Sequence, residues 1–340
     1  MSDFVENNPL IGESESFHLA LNKVSVLAKI NKPVLVVGER GTGKELFAAR
    51  LHYLSDRWDN DYLKLNCSTL TEGILESELF GHEAGSFTGA LKKHIGVFEK
   101  ADNGTLFLDE IANTSLRLQE KILRVIEYGE FTRVGGNINL KTDVRIVAAT
   151  NIDLPNLASC GQFRFDLLDR LSFDVITIPP LRERGLDIVL LAEHFAMKMV
   201  KQIKGDCFYG FSDESKNKLL AHAWSGNVRE LRNVIERTVF HAHVNKKKTY
   251  EIIINPFESE HKLPGASLDS KDNIDIIQEN IKEKGLEEVL DFYLAVDNYK
   301  KEILGNALRK NNFNQKKTAY KLGLTYNQFR GLIRKFKIKR

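Results

Sequence analysis

The run GERGTGKE carries the clearest chemistry in the 340-residue chain. Gly38, Glu39, Arg40, Gly41, Thr42, Gly43, Lys44 and Glu45 fit the pattern G-x-x-x-x-G-K and follow the apolar run Val34-Leu35-Val36-Val37. A glycine-rich loop that opens a helix turns backbone N–H groups toward phosphates, and its lysine reaches the β- and γ-phosphates. Patterns this short arise by chance; the place between a strand-like run and a helical pattern gives this one its weight. The residue after the lysine is usually Ser or Thr, whose hydroxyl holds Mg2+. Glu45 stands there instead, so another group must hold the metal. GTLFLDE supplies it. Its strand-like residues Thr105, Leu106, Phe107 and Leu108 deliver Asp109 and Glu110 to the carboxyl end of a sheet, where ligands of open α/β folds bind. Asp109 suits the water shell of Mg2+, and Glu110 suits the orientation of an attacking water. An isolated Asp-Glu pair reads as an exposed turn; beside a phosphate loop in the same sheet it predicts ATP binding and hydrolysis. The nucleotide-binding assignment also takes in Ala101, Asp102, Asn103 and Gly104.

Other polar residues end strand-like runs at the same edge. Asn66 follows Tyr62-Leu63-Lys64-Leu65, and Thr150 and Asn151 follow Val147-Ala148-Ala149. Each is either a site residue or a simple turn former. Arg164 and Arg170 lie in FRFDLLDRL on a helical pattern that also carries Asp166 and Asp169. Salt bridges within that helix are one reading. The other is an arginine finger that reaches a neighbouring subunit's γ-phosphate, which requires a ring.

Five runs read as strands: 33–37, 62–65, 105–108, 144–148 and 174–178. Helical stretches separate most of them, which predicts an α/β fold, a parallel five-stranded sheet covered on both faces. After Pro179-Pro180 no strand follows, and 186–202 and 213–243 read as amphipathic helices of a small subdomain. The expected division is an α/β ATPase part (9–182), a helical lid (183–255), a polar linker (256–286) and an all-α domain (287–340).

The chain is 42% apolar and 28% charged, ordinary values for a globular protein. No apolar run approaches the roughly 18 residues that span a bilayer, and the N-terminus lacks signal-peptide character. Cys67, Cys160 and Cys207 are odd in number and lack metal-ligand spacing, which predicts reduced thiols and a cytoplasmic location. From Arg309 to Arg340 there are 11 Lys or Arg and no acidic residue, which leaves 38 basic against 46 acidic residues elsewhere. Such asymmetry points to a basic module for a polyanion on an acidic body. Within it, Ala319 and Leu322 fit one helix face, Gly323 a turn, and Thr325 the cap of a second helix with the stripe Phe329, Leu332, Ile333 and Phe336. That is a helix-turn-helix whose second helix enters the major groove. Tyr326, Asn327, Gln328, Arg330 and Arg334 are its candidate DNA contacts, and Lys316, Lys317 and Lys335 suit phosphates. A basic helix lying on a membrane is the rival.

ELFGHEAGSFTGA, residues 78–90, exposes a bare Phe87 and Thr88 between glycines, which a compact domain has no use for. Taken with GERGTGKE, GTLFLDE, FRFDLLDRL and WSGNVREL, it makes residues 9–255 resemble the AAA+ domain of bacterial enhancer-binding proteins, the activators of sigma-54 RNA polymerase. Glu45 is normal for that family. The ATPase domain starts almost at the N-terminus, without room for a receiver or ligand-sensing domain, as in the branch that serves the phage shock (envelope stress) operon. The resemblance implies that Gly85, Ser86, Phe87, Thr88, Gly89 and Ala90 form the loop that rises on ATP binding and touches sigma-54. Ser86 replaces the family's usual Ala there. A second loop near Arg133-Val134-Gly135-Gly136 would support it. Asn66 matches the residue that restrains the catalytic Glu, Thr150 and Asn151 the first sensor, Arg164 and Arg170 the trans-acting arginines, and Arg229 the second sensor. The region of Trp58 implies a PspA-type inhibitory protein, and the C-terminal segment resembles Fis-type DNA-binding domains. The function so implied is a transcription activator that binds upstream DNA and, as a homo-oligomer expected to be a hexamer, uses ATP, with Mg2+, to remodel the sigma-54 RNA polymerase holoenzyme. The alternatives are an ATP-regulated DNA-binding regulator that does no mechanical work, and another AAA+ remodeller such as a replication initiator.

Overall fold

The computed structural model describes residues 9–203, 205, 207–245, 249–256, 300–301, 304–309, 311, 314–322, 324 and 326–336. They fall into two units, one ending at Pro256 and one formed by the described residues from Lys300 on. Apart from Pro256, the expected linker lies outside the described residues, as do 287–299, Gly323 and Thr325.

Strands β1 (Val34–Val37), β2 (Tyr62–Asn66), β3 (Thr105–Asp109), β6 (Arg145–Thr150) and β7 (Val175–Thr177) form one sheet in the order β2-β3-β6-β1-β7. All pairs are parallel, as the five apolar runs predicted. Side chains alternate between its two faces. Val34, Val36, Phe107, Val147 and Ala149 pack with Phe17, Val24 and Phe47 from helices α1 (Glu15–Leu27) and α2 (Lys44–Tyr53). Leu35, Leu106, Leu108, Ile146 and Ala148 pack on the other face with Leu79 of α3 (Glu72–Phe80), Phe98 of α4 (Val97–Lys100), Ile122 of α5 (Leu116–Tyr128) and Leu167. Burial on both faces is why the central strands β1, β3 and β6 read as continuous apolar runs, whereas the edge strands β2 and β7 are only partly buried. The register pairs Val37 with Thr150 and Asn66 with Asp109, so four strand ends share one edge.

Between α5 and β6 the chain makes a hairpin, β4 (Glu130–Thr132) and β5 (Asn139–Lys141), with antiparallel pairing. Three-residue strands with a single inward side chain each leave no readable alternation, and the sequence did not predict them. Helices α6 (Leu154–Ser159) and α7 (Phe165–Leu171) complete this part.

The lid has helices α8 (Asp187–Gln202), α9 (Asp213–Ala221) and α10 (Asn227–Val244). The single helix expected over 213–243 is therefore two. Trp224 and Asn227 adopt left-handed backbone, at φ 48° and 53°. The buried Trp224 ring donates from Nε1 to the Leu219 carbonyl at 2.8 Å, which folds the break against α9. Ser225-Gly226-Asn227 was the local breaker signal; apolar periodicity on both sides masked it.

In the second unit, helices Gln315–Lys321 and Tyr326–Lys335 and a helical stretch over 304–309 enclose Leu304, Leu308, Ala319 and Phe329. Leu322, Leu332, Ile333 and Phe336 pack against them, so the expected stripe faces inward. Asn314 caps the first helix through Oδ1, which accepts from the Lys317 amide at 3.1 Å. Among the described residues no helix is long and apolar enough to cross a membrane.

Candidate functional site

The phosphate loop joins β1 to α2 at the shared edge. Gly41 and Gly43 hold φ of 80° and 95°, which glycine alone adopts freely. A Cβ on Gly41 would also stand 2.2 Å from the Gly226 carbonyl oxygen of the lid. Lys44 is buried; its Nζ donates to the Gly38 carbonyl at 3.0 Å and lies 3.7 Å from Glu110 Oε1. Glu45 instead pairs with Lys64 at 2.6 Å, beside the loop.

Asp109 closes β3, and its Oδ2 accepts from Asn66 Nδ2 at 3.2 Å. Burial, with the Glu110 carboxylate beside it, raises the Asp109 carboxyl above its ordinary range. Glu110 sits at φ 54°, a strained conformation for a side chain with a Cβ, and its Oε2 is buried without a hydrogen-bond partner among the described residues. The Asn66 amide nitrogen thus reaches Asp109, not Glu110, while its Oδ1 accepts from the Ser68 amide and hydroxyl at 2.8 and 2.7 Å.

These groups line a cleft of about 540 Å³ between the sheet edge and the lid. Arg40 to Glu45, Asn66, Asp109, Glu110 and Arg229 all border it, and Leu10, Ile11, Leu191, Phe195 and Val228 form its apolar end. His194, Lys198 and Arg232 also line it, and sequence reasoning missed them, because a polar side chain on a lid helix reads as a solvated face. Gly38, Glu39 and residues 101–108 do not border the cleft. The 101–108 segment is structural: the Asn103 amide donates to the Asp143 carbonyl at 2.9 Å, Asp102 Oδ1 accepts from the Asp143 amide at 2.8 Å, and Thr105 to Leu108 are the buried body of β3. Thr150 and Asn151 stand behind the loop. The Thr150 carbonyl accepts from the Gly38 amide at 3.2 Å, and Asn151 Oδ1 is buried without a partner among the described residues.

Arg164 and Arg170 lie away from this cleft. Arg164 precedes α7 and forks onto Asp166 at 2.7 and 3.0 Å, the local pairing that its sequence allowed. Arg170 reaches Glu127 of α5 at 2.8 Å rather than a carboxylate of its own helix.

The segment Gly85–Ala90 is a tight loop closed by the Gly85 amide on the Ala90 carbonyl at 2.7 Å. Gly85 and Gly89 take φ of 81° and 108°. Phe87 is half exposed, its ring edge-on to His82 at 5.0 Å between centroids. The expected second loop does lie beside it. The Glu83 amide donates to the Val134 carbonyl at 3.1 Å, and Gly135 approaches Ser86 so closely that a Cβ there would meet the serine Cβ at 2.5 Å. Arg133, 7% exposed, binds Glu83 at 2.8 Å and Glu99 at 2.7 Å. Trp58 is 60% exposed. In the second unit Lys316, Lys317, Tyr326, Arg330, Arg334 and Lys335 are exposed, while the side chains of Asn327 and Gln328 lie outside the description.

Three family models match in the same order: the sigma-54 interaction domain over residues 10–178, an AAA+ ATPase lid domain over 182–260, and a bacterial regulatory protein domain of the Fis family over 300–336. The Psp operon transcriptional activator of Escherichia coli K12 is 48% identical over 338 residues, covering 99% of this chain and 100% of that protein. The chain belongs to the sigma-54-dependent transcriptional activators. The Nif-specific regulatory protein of Azotobacter vinelandii is 49% identical over 231 residues, which is 68% of this activator and 44% of that protein. Among solved structures, NtrX from Brucella abortus in complex with ADP superposes with a TM-score of 0.69 at 29% identity, over 98% of this chain and 71% of that one. This activator therefore pairs an AAA+ nucleotide-binding domain with a Fis-type DNA-binding domain, and its partners are sigma-54 polymerase and DNA.

Proposed function

We propose that this activator hydrolyses ATP with Mg2+ in a homo-oligomeric ring, a hexamer, and spends each cycle on remodelling the closed sigma-54 polymerase complex at a phage shock operon. The observation that carries this reading is the convergence of Lys44, Asp109, Glu110 and Asn66 on one edge of the sheet, around a loop shaped for phosphates. Carboxylate oxygens, one of them buried on Glu110 without a partner among the described residues, fit a hard divalent cation that shares its shell with phosphate oxygens. Bound there through Asp109 and water, Mg2+ would neutralise charge on the phosphates. Lys44 holds the γ-phosphate, Glu110 orients the attacking water, and Asn66, Thr150 and Asn151 report on the γ-phosphate from the strand ends. Arg229 reaches the phosphates from the lid. Arg164 and Arg170, partly exposed on α7 and its cap, act on a neighbouring subunit's nucleotide.

The loop Gly85–Ala90 is the contact with sigma-54, which is why Phe87 is half exposed. Trp58 is the site for a PspA-type inhibitor. Lys316, Lys317, Thr325, Tyr326, Asn327, Gln328, Arg330, Arg334 and Lys335 bind an upstream site, within domains bounded at 9–182, 183–255, 256–286 and 287–340. The protein works in the cytoplasm, at the nucleoid when bound to DNA.

Thr88→Ala tests the coupling. An ordinary hydroxyl contact is worth about 1 kcal/mol; a contact needed while force is transmitted should remove nearly all open-complex formation and leave ATP turnover intact. Normal promoter melting by this variant would refute the loop's role, and a parallel loss of turnover would make the segment structural.

A further inference from the structure

Glu39 is a carboxylate in a loop built for phosphates, where its charge would repel the ligand. It does not border the cleft. Its two oxygens take both terminal nitrogens of Arg182, at 2.6 and 2.9 Å, and Oε2 also accepts from Asn227 Nδ2 at 3.0 Å. Arg182 lies in the short helical turn Leu181–Glu183 that leads into the lid, and Asn227 is the first residue of α10. With those two donors the Glu39 carboxyl falls to about 2, Arg182 contributing most and Asn227 next, so it stays ionised at any working pH.

Asn227 is wholly buried, and its amide joins three segments. Oδ1 accepts from the Leu181 amide at 2.8 Å, while Nδ2 donates to Glu39 and to the Arg40 carbonyl at 3.0 Å. The left-handed backbone at Asn227 turns its side chain toward the loop, and Arg229 follows two residues on, bordering the cleft. There is no slack between loop and lid: a Cβ on Gly41 would stand 2.2 Å from Gly226 O and 3.1 Å from Arg229 Cβ.

We propose that Glu39 and Asn227 form a latch that positions Arg229, so that the phosphate loop's conformation sets where the lid's arginine stands over the nucleotide. Glu39 is a positioning residue here; it acts through Asn227 and Arg182 and touches no phosphate. The inference rests on the ATPase reading above, because it assigns Arg229 a task at the phosphates.

The test is a double-mutant cycle in the full-length protein, read as ATP turnover and as affinity for a fluorescent ATP analogue. Glu39→Ala and Arg229→Ala should each lower kcat/KM by about tenfold or more, since small misplacements at a phosphoryl-transfer site are costly. The double variant should match Arg229→Ala within about twofold, because nothing is then left to position. A purely structural role would lower the melting temperature and multiply with the Arg229 effect; multiplied effects overturn the latch, as does a Glu39→Ala protein that behaves as wild type. Should Glu39→Ala unfold, Asn227→Gly runs the same cycle, since glycine accepts the left-handed backbone and removes only the amide. Lys44→Ala separates the two claims. If wild type turns over no more ATP than Lys44→Ala, the ATPase reading fails, and the cycle on nucleotide affinity still decides the latch.

Discussion

Arg133→Ala should separate nucleotide turnover from promoter opening. The guanidinium holds together three pieces of chain: the β4–β5 connection, Glu83 at the foot of the Gly85–Ala90 loop, and Glu99 on α4. Its four contacts run from 2.7 to 3.2 Å, and the Arg133 side chain is 7% exposed. A hydrogen bond to a charged partner is worth roughly 1.5–3 kcal/mol when truncated. Glu83 and Glu99 keep 34% and 33% of their side-chain surface in water, so solvent recovers much of that. The net loss is then about 2 kcal/mol, or about 30-fold in the equilibrium between the loop braced by Val134 and Gly135 and the loop set free. Arg133 does not border the nucleotide cleft, so ATP turnover should stay within about threefold of wild type. Open-complex formation at a sigma-54 promoter, measured on the same preparation, should fall by tenfold or more. Wild-type promoter opening by Arg133→Ala would refute the bracing argument, and equal loss of both activities would place the hairpin in the support of the nucleotide site.

Two further outcomes follow from the site's geometry. Glu110→Gln should bind ATP yet lose nearly all hydrolysis, because the amide cannot orient water as a base does; turnover within about threefold of wild type removes Glu110 from that role. Glu39, with its folded-state value lowered from 4.5 to about 2, contributes stability that is present above pH 4.5 and lost as pH falls toward 2. Glu39→Gln should flatten that part of the acid-unfolding curve, and an unchanged curve would mean that the pair with Arg182 is too solvated to matter.

What the sequence determined by itself is chemistry carried by contiguous residues. A loop of glycines before a helix, carboxylates at the end of an apolar run, and an apolar stripe on a short basic helix each follow from local geometry, so GERGTGKE, Asp109-Glu110 and Phe329–Phe336 were legible without a fold. The parallel sheet was legible too, because strands buried on both faces must be apolar throughout. Tertiary structure decided what depends on partners distant in the chain. Asn66 meets Asp109 because the β2–β3 register aligns them. Arg170 pairs with Glu127 rather than with Asp166 or Asp169, because α5 packs beside α7. The break at Trp224 exists because a buried indole needs the Leu219 carbonyl. Glu39, ordinary in its own loop, meets Asn227 from 188 positions away, and no local pattern records that pairing because packing between the loop and the lid creates it.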